Sequence, residues 1–383
     1  MLGGKCLVTA ERDFACSIFA NQERHTFETM TYREVDYVLG SDIQIRSCEE
    51  KDQERWDEFV ASHPACTNYH RWRWQHVFRE VFGWPAIYLL AEKRGRVCGI
   101  LPLISQRCLL RTYLSSMPHL KGGGIVADTP EIERLLLASA IEQVRQNQDT
   151  YLELRQTEAH SLALTRRRDK VGAVLRVEPT DQGRWGRLDK KTRNLVRKSL
   201  TCGMTAEFGT TALLTDFYAV YRHNMRDLGS PAYASRFFRE IMTQFPHDTR
   251  ICVVRLERET VAAAFLLGFR GALEVAWASS YRRFLNLKPN MFLYWNILQY
   301  AAEQGCQQLD FGRSSRGSGT FQFKLQWGAE ANDLHWSYWL NQGASLPSTG
   351  DNRMQLAGRL WRRLPLALTN VLGPKLVQHI PGV

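Results

Sequence analysis

Between Gln307 and Glu330 the chain reads QQLDFGRSSRGSGTFQFKLQWGAE. An acid, a set of arginines and a lysine fall in one short stretch, around a loop of serines and glycines. Gln308 to Phe311 predicts a short strand, broken at Gly312, and the alternation from Thr320 to Leu325 predicts a second strand. Asp310, at the strand end, is placed for proton transfer. A carboxylate beside an arginine titrates low and makes an ion pair more readily than a base, so anchoring Arg313 is its other role. Arg313 and Lys324 suit a substrate carboxylate or phosphate. Ser314, Arg316, Gly317 and Gly319 give a loop whose backbone and hydroxyls can meet a ligand. A polar hairpin turning on glycines would have the same composition.

A second cationic junction precedes it, Tyr281-Arg282-Arg283-Phe284-Leu285-Asn286-Leu287-Lys288-Pro289-Asn290. A strand ends here and a helix begins near Pro289 or Asn290, with Asn290 a good N-cap and Pro289 at home in the first turn. The turn up to Tyr294 carries no acid, so its free N–H groups and positive dipole end are open to a phosphate, with Lys288 adding charge. Tyr281 and Tyr294 are candidate hydroxyl donors. Further upstream, Arg184 to Lys198 reads as one basic helix whose Arg193 and Arg197 either steer an anionic substrate or form a solvated face. Lys121-Gly122-Gly123-Gly124 lacks the GK[ST] of a phosphate loop and reads as a tight or flexible turn, with phosphate binding the less supported alternative.

These groups sit on a chain of 383 residues, 44% hydrophobic and 23% charged, with a formal charge of +11. That is globular composition, long enough for about two cores. The charge favours an acidic partner: nucleic acid, a phosphorylated co-substrate, a lipid-linked phosphate or an anionic membrane surface. Nine scattered cysteines, an odd number with no CxxC pair, argue against a structural zinc and for reduced thiols. No H-E-x-x-H appears, and the histidines form no triad with serine and aspartate, so no metal is expected. No apolar run reaches the ~20 residues of a membrane span, so the chain reads as cytoplasmic or peripheral to a membrane.

Residues 1–40 show no period and are expected to be a poorly ordered extension. From there helices and hairpins alternate, and the layout repeats. AEKRGRVCGILPL from Ala91 and LERETVAAAFLLG from Leu256 each place a charged turn before an apolar strand, after helices and before another helix. The expectation is α/β architecture with mixed sheets in two like domains, 41–180 and 181–345. The tail, 346–383, mixes Leu356, Leu360, Trp361, Leu364, Leu366 and Leu368 with Arg359, Arg362, Arg363 and Lys375. It either caps the second domain or lies on a membrane surface.

The stretch DFGRSSRGSGTFQFKLQWGAE resembles the signature of FemAB-like proteins, in the branch associated with exosortase and PEP-CTERM systems. Tyr151 to Arg155, Val196 to Lys198, Asn224 to Pro231, Asn290 to Trp295 and Leu360 to Leu366 also look like that branch. The resemblance spans about residues 42–380. It implies two tandem GNAT-like acyltransferase domains and transfer of an acyl or aminoacyl group to an amine. The implied co-substrate is acyl-CoA or aminoacyl-tRNA, with no tightly bound cofactor. The implied acceptor is a cell-envelope or exopolysaccharide precursor at the inner membrane. Asp310, Arg313, Lys324 and Tyr281 would then handle the acceptor, while Lys288, Asn290, Tyr294, Arg193 and Arg197 would meet the donor. Two other classes fit the same sequence: a nucleic-acid-binding protein using the basic helix, and a catalytically silent assembly factor.

Overall fold

A computed structural model describes residues 42–108, 111–160, 162–346 and 352–380; the extension expected over 1–40 lies outside them. The first sheet is founded on β1 (Ile43–Ser47), β2 (Ala86–Lys93), β3 (Arg96–Cys108) and β4 (Arg111–Ser115), antiparallel in that order. Helices α1 (Gln53–Ser62) and α2 (Trp74–Phe82) fill the β1–β2 connection. Gly83 ends α2 in the left-handed region, φ 69°, which suits a residue without Cβ. The short β5 (Val126–Ala127) pairs with β3, and α3 (Pro130–Gln146) leads to β6 (Tyr151–Gln156), which lies parallel to β4. Two more strands follow, β7 (Thr165–Arg167) and β8 (Lys170–Arg176).

The second half opens with α4 (Asp181–Arg187) and α5 (Lys190–Leu200). The expected single basic helix is therefore two. Leu188 is extended, and the Asp189 side chain accepts from the Thr192 N–H at 2.6 Å to start α5. Then the first half's order recurs. The strand β9 (Met204–Gly209) comes first, followed by helices α6 (Leu214–Leu228) and α7 (Ser235–Gln244). Strands β10 (Thr249–Leu256), β11 (Glu259–Phe269) and β12 (Ala272–Ser280) run antiparallel, and α8 (Pro289–Glu303) leads to β13 (Gln308–Asp310), parallel to β12. The repeat read at Ala91 and Leu256 is thus a repeat of structure.

After β13 come β14 (Ser314–Ser315), α9 (Gly319–Leu325), β15 (Glu330–Asp333), β16 (His335–Leu340), α10 (Asn352–Trp361) and α11 (Leu366–Val377). The strand expected over 320–325 is the helix α9. Ser318 caps it by accepting from the Phe321 N–H at 3.2 Å, and Phe321 and Lys324, one turn apart, are its buried residues. The period-two alternation of Phe321 and Phe323 is incidental: Phe323 turns instead to the rings of Tyr294 and Trp327.

A boundary near residue 180 does not separate the two sheets. β16, from the second half, pairs with β6 and β7 in the first sheet. β8, from the first half, pairs with β13, β14 and β15 in the second. Each sheet takes in one strand from the other half. One core cluster also spans both, joining Trp56, Trp72, Trp74 and Phe78 to Phe217, Tyr221, Phe237, Phe238 and Phe265. Large aromatic side chains contribute the most apolar area per residue, so this shared cluster couples the halves mechanically.

A buried ion pair pins the exchanged strand. Arg155 on β6 donates to Glu153 from Nε at 3.2 Å and Nη2 at 3.3 Å. The Tyr338 hydroxyl of β16 donates to the same carboxylate at 2.8 Å and Ser115 at 3.0 Å. Arg155→Ala leaves that carboxylate buried without its counter-charge and should lower unfolding free energy by about 3–5 kcal/mol in a urea titration. A loss below about 1 kcal/mol would show that Glu153 is satisfied without it.

Candidate active site

Parallel pairing of β12 and β13 sets Glu274 directly beside Asp310. Neighbours in register face the same side of a sheet, about 5 Å apart, so two carboxylates share one patch. A β-bulge follows at once, at Ala276 between the pairs Val275–Leu266 and Trp277–Phe265. Such bulges re-aim a strand and end pairing, and β13 pairs with β12 only through Ala272–Glu274.

Two like charges out of water need counter-charge, and the first half supplies it. Lys121, buried in the loop between β4 and β5, reaches across to Asp310. The loop packs tightly. Gly123 has φ +115°, and a Cβ there would fall 2.8 Å from the Met117 Cβ. The Lys121-Gly-Gly-Gly segment is therefore a compact turn that aims a lysine. Tyr69, also from the first half, donates its hydroxyl to Glu274 Oε2 at 2.8 Å. The Asp310 Oδ1 accepts from the Gly312 N–H at 2.8 Å. The ion-pair partner of Asp310 is Lys121; Arg313 does not fill that role.

Burial pushes the Glu274 carboxyl up to about 7, with the neighbouring Asp310 charge adding to it and Lys121 offsetting only part. Burial also brings the Lys324 amine down to about 8, against the pull of Asp310 and Glu274. Lys324 Nζ donates to the carbonyls of Gly312 at 3.1 Å and Arg313 at 2.9 Å, so α9 fixes the loop after β13. The Lys121 ammonium, though burial works against it, is held above its ordinary value by Asp310 and Glu274. The site thus holds a carboxyl and an amine that both change protonation near neutrality, the condition under which a side chain can accept and return a proton.

Arg313 faces the same seam. Its guanidinium lies 5.4 Å from the Trp336 ring, which Arg155 also covers at 4.3 Å. Its Nη1 is buried with no hydrogen-bond partner among the described residues. Burial, and then the Arg155 charge, lower it from its ordinary value. A buried guanidinium with spare donors is a receptor for an anionic group. The neighbouring Ser314 Oγ is likewise buried without a partner.

The remaining candidates lie apart from the carboxylates. Tyr281 follows the far end of β12, edge-on to His223 at 4.9 Å and beside Arg283 at 4.9 Å. From Glu274 to Ser280 the strand covers roughly 20 Å. Lys288, with φ 59°, is the N-cap of α8, ahead of Pro289; Asn290 sits one position inside and makes no cap. Proline after a left-handed residue starts the helix without a side-chain cap, and no acid occupies the first turn. Tyr294 stacks on Phe311 at 5.4 Å and so joins α8 to the strand that carries Asp310. Arg316 pairs with Asp333, and Gly317 and Gly319 face open space. Arg197 lies over Trp185 at 5.1 Å and, with Arg193, belongs to α5, whose Thr192 donates to the Gln326 carbonyl at 3.2 Å. No contact brings Arg193, Arg197 or Arg316 to the carboxylate pair.

Glu274, Lys121 and Tyr69 were not singled out for this site from sequence. Glu274 had one local signal, a lone acid within the apolar strand Ala272–Ser280. Its role depends on a pairing between distant segments. A separate cavity of about 210 Å³ lies in the first half, lined by His63, His70, Asp128, Glu133 and Gln156 among others; of the residues weighed from sequence only Gly124 of the glycine-rich turn borders it. Among the described residues no group of three or more His, Cys, Asp or Glu side chains could hold a metal ion.

Residues 186–325 match a family model described as an acetyltransferase (GNAT) domain. Among solved structures, one described as FemX superposes with a TM-score of 0.62 at 16% identity, covering 77% of this chain and 97% of that one. A tandem GNAT protein from the clavulanic acid biosynthesis pathway gives 0.53 at 10% identity, covering 79% and 100%. The C-terminal domain of a putative lysylphosphatidylglycerol synthetase from Agrobacterium fabrum gives 0.51 at 12%, covering 87% and 98%. No curated protein matches the chain. The fold is that of two tandem GNAT-like domains, and the stretch that matches the acetyltransferase (GNAT) model lies in the second half and includes Glu274, Asp310 and Lys324.

The raised Glu274 carboxyl has a consequence for stability. Its folded value, about 7, lies above the ordinary 4.5. Its contribution to stability is therefore complete below pH 4.5 and is lost as pH rises through about 7. Glu274→Gln, which stays neutral, should gain Tm relative to the parent protein between pH 5 and 8. A Tm difference that does not change with pH would place the parent carboxyl at its ordinary value.

Proposed function

We propose that the protein transfers an acyl or aminoacyl group from a phosphate-bearing donor to an amine, with Glu274 as general base. The observation that carries this is the half-buried Glu274–Asp310 pair, set among Lys121, Lys324 and Tyr69, with the Glu274 carboxyl pushed up to about 7 by burial. An acceptor ammonium loses a proton to the Glu274 carboxylate. The freed amine attacks the donor carbonyl and forms the C–N bond. The C–S bond of a thioester, or the C–O bond of an aminoacyl ester, then breaks; the attacking nitrogen gives up its second proton, which reaches the leaving thiolate or alkoxide directly or through Lys324, and Glu274 returns its proton to solvent. Asp310 and Lys121 act as positioning groups that set the Glu274 charge. Arg313 holds an anionic group of the acceptor, such as a carboxylate.

For the donor we favour the β13-side edge of β12 beyond the bulge, which has no strand partner among the described residues, together with the start of α8. Unpaired N–H groups there can steady the developing oxyanion. The acid-free first turn with Lys288 and Asn290 suits the donor phosphates. Acyl-CoA and aminoacyl-tRNA both meet this description, and Arg193 and Arg197 on α5 would serve the larger donor. The resemblance to the exosortase-associated FemAB-like branch supports an envelope or exopolysaccharide precursor as acceptor, handled on the cytoplasmic side. The likeness to the structure called FemX supports an aminoacyl donor.

The test is a donor screen: acyl-CoAs and charged tRNAs offered to the purified protein with amine acceptors, products read by mass spectrometry. Once a pair is found, Glu274→Gln should lower kcat/KM by about 10²–10⁴-fold and remove the limb rising through pH ~7. An unchanged pH profile would exclude Glu274 as the base. Nucleic-acid binding with a steep salt dependence and no turnover would instead favour a non-catalytic binding protein.

A further inference from the structure

The last two helices present an unusual outward face. α11 buries Thr369, Gly373 and Val377, spaced one turn apart. Gly373 lies so close to Ala232 that a Cβ would fall 3.1 Å from its backbone nitrogen, and Val377 enters the core shared by both halves. α10 buries Trp361. These contacts fix both helices as a cap on α6 and its following loop, one of the two arrangements expected for the tail. They also fix what points away.

On α10 the exposed positions Leu356, Arg359 and Leu360 recur at helical spacing opposite Trp361, and the exposed Arg363 follows in the turn after the helix. On α11 the exposed Leu368, Val371 and Lys375 do the same opposite Gly373. The aliphatic members are far from buried: Leu356 is 57% exposed, Leu360 48%, Leu368 49% and Val371 61%. Leu228, 51% exposed, adjoins them, since Arg362 Nη2 donates to its carbonyl at 3.2 Å. From 352 to 380 the sequence has Arg353, Arg359, Arg362, Arg363 and Lys375 and no acid. Aliphatic groups exposed in a contiguous row mark a surface that is covered by something.

We propose that this face seats the protein on an anionic lipid bilayer. Aliphatic and cationic side chains interleave on the exposed face of each of the two helices, with no separate apolar centre and polar rim of the kind a protein interface has. A bilayer surface accepts that mixture: leucines enter the acyl boundary while arginine and lysine heads stay at the phosphates. The wholly positive charge selects acidic lipids. No helix among the described residues is long and apolar enough to cross a membrane, so the contact is docking and not insertion across it.

The experiment is co-sedimentation of the full chain with phosphatidylcholine vesicles, with and without about one-third phosphatidylglycerol. The expected result is at least about tenfold stronger binding to the anionic vesicles, weakened by high salt. The double variant Leu360→Asp/Val371→Asp, substituted at exposed positions, should lose about tenfold in binding with an unchanged Tm. Arg359→Glu/Arg363→Glu should abolish the preference for phosphatidylglycerol. Failure to pellet with anionic vesicles, or equal binding by both variants, overturns the proposal. So does a dimer, seen by light scattering, that the aspartate variant converts to monomer, because a second copy would then be what covers the face.

Discussion

An ion pair drawn across the seam between two sheets is the interaction on which the site depends. Lys121 belongs to the first half and Asp310 to the second. Ionised groups are costly to bury unless their charges are matched. Here a lysine from one half stands against two carboxylates from the other, so neither half completes the site alone. The excess negative charge falls on Glu274, which accepts a hydrogen bond from the Tyr69 hydroxyl. Burial raises its carboxyl toward neutrality, and that imbalance adds to the rise. The exchange of β8 and β16 and the shared aromatic core hold the two halves in the register this balance needs.

The internal repeat explains why only one half carries such a pair. β4 and β6 occupy in the first sheet the places that β12 and β13 take in the second, and there Ser115 stands beside Glu153. Glu153 is locked by Arg155, Tyr338 and Ser115, which hold its carboxyl below the usual range although burial opposes them. The helix starts diverge in the same sense. Both α3 and α8 begin with proline, but α3 is capped by Thr129 and carries Glu131 and Glu133 in its first turn. Acids there answer the helix's own positive end. α8 leaves that end unanswered. The first half has thus become a structural partner that lends a lysine and a tyrosine, and the second keeps the features a phosphate-bearing donor would need.

Much of this was legible in the chain. The hairpins, the Gly83 stop and the two-unit repeat follow from local pattern, because turn chemistry and apolar period are properties of adjacent residues. The strand end at Asp310 was legible for the same reason. Two errors came from reading period alone. Phe321 and Phe323 alternate like a strand, but Ser318 offered a cap, and the helix won. Arg184 to Lys198 looked continuous until Asp189 began a new helix. What was not legible is non-local. Nothing near Lys121 announces that its partner lies in the other half, and Glu274 gains meaning only beside Asp310. The strand exchange is hidden for the same reason, since β8 and β16 carry no mark of the sheet they join.

The central claim is that Glu274 changes protonation near neutral pH because of where the seam places it. The direct measurement is a titration of side-chain carboxyl carbons by NMR in protein labelled at glutamate, with the Glu274 resonance assigned by its loss in Glu274→Gln. The account predicts a midpoint near 7 that falls when Asp310 is replaced by Asn. A midpoint at the ordinary glutamate value of 4.5, unmoved by that replacement, would contradict it.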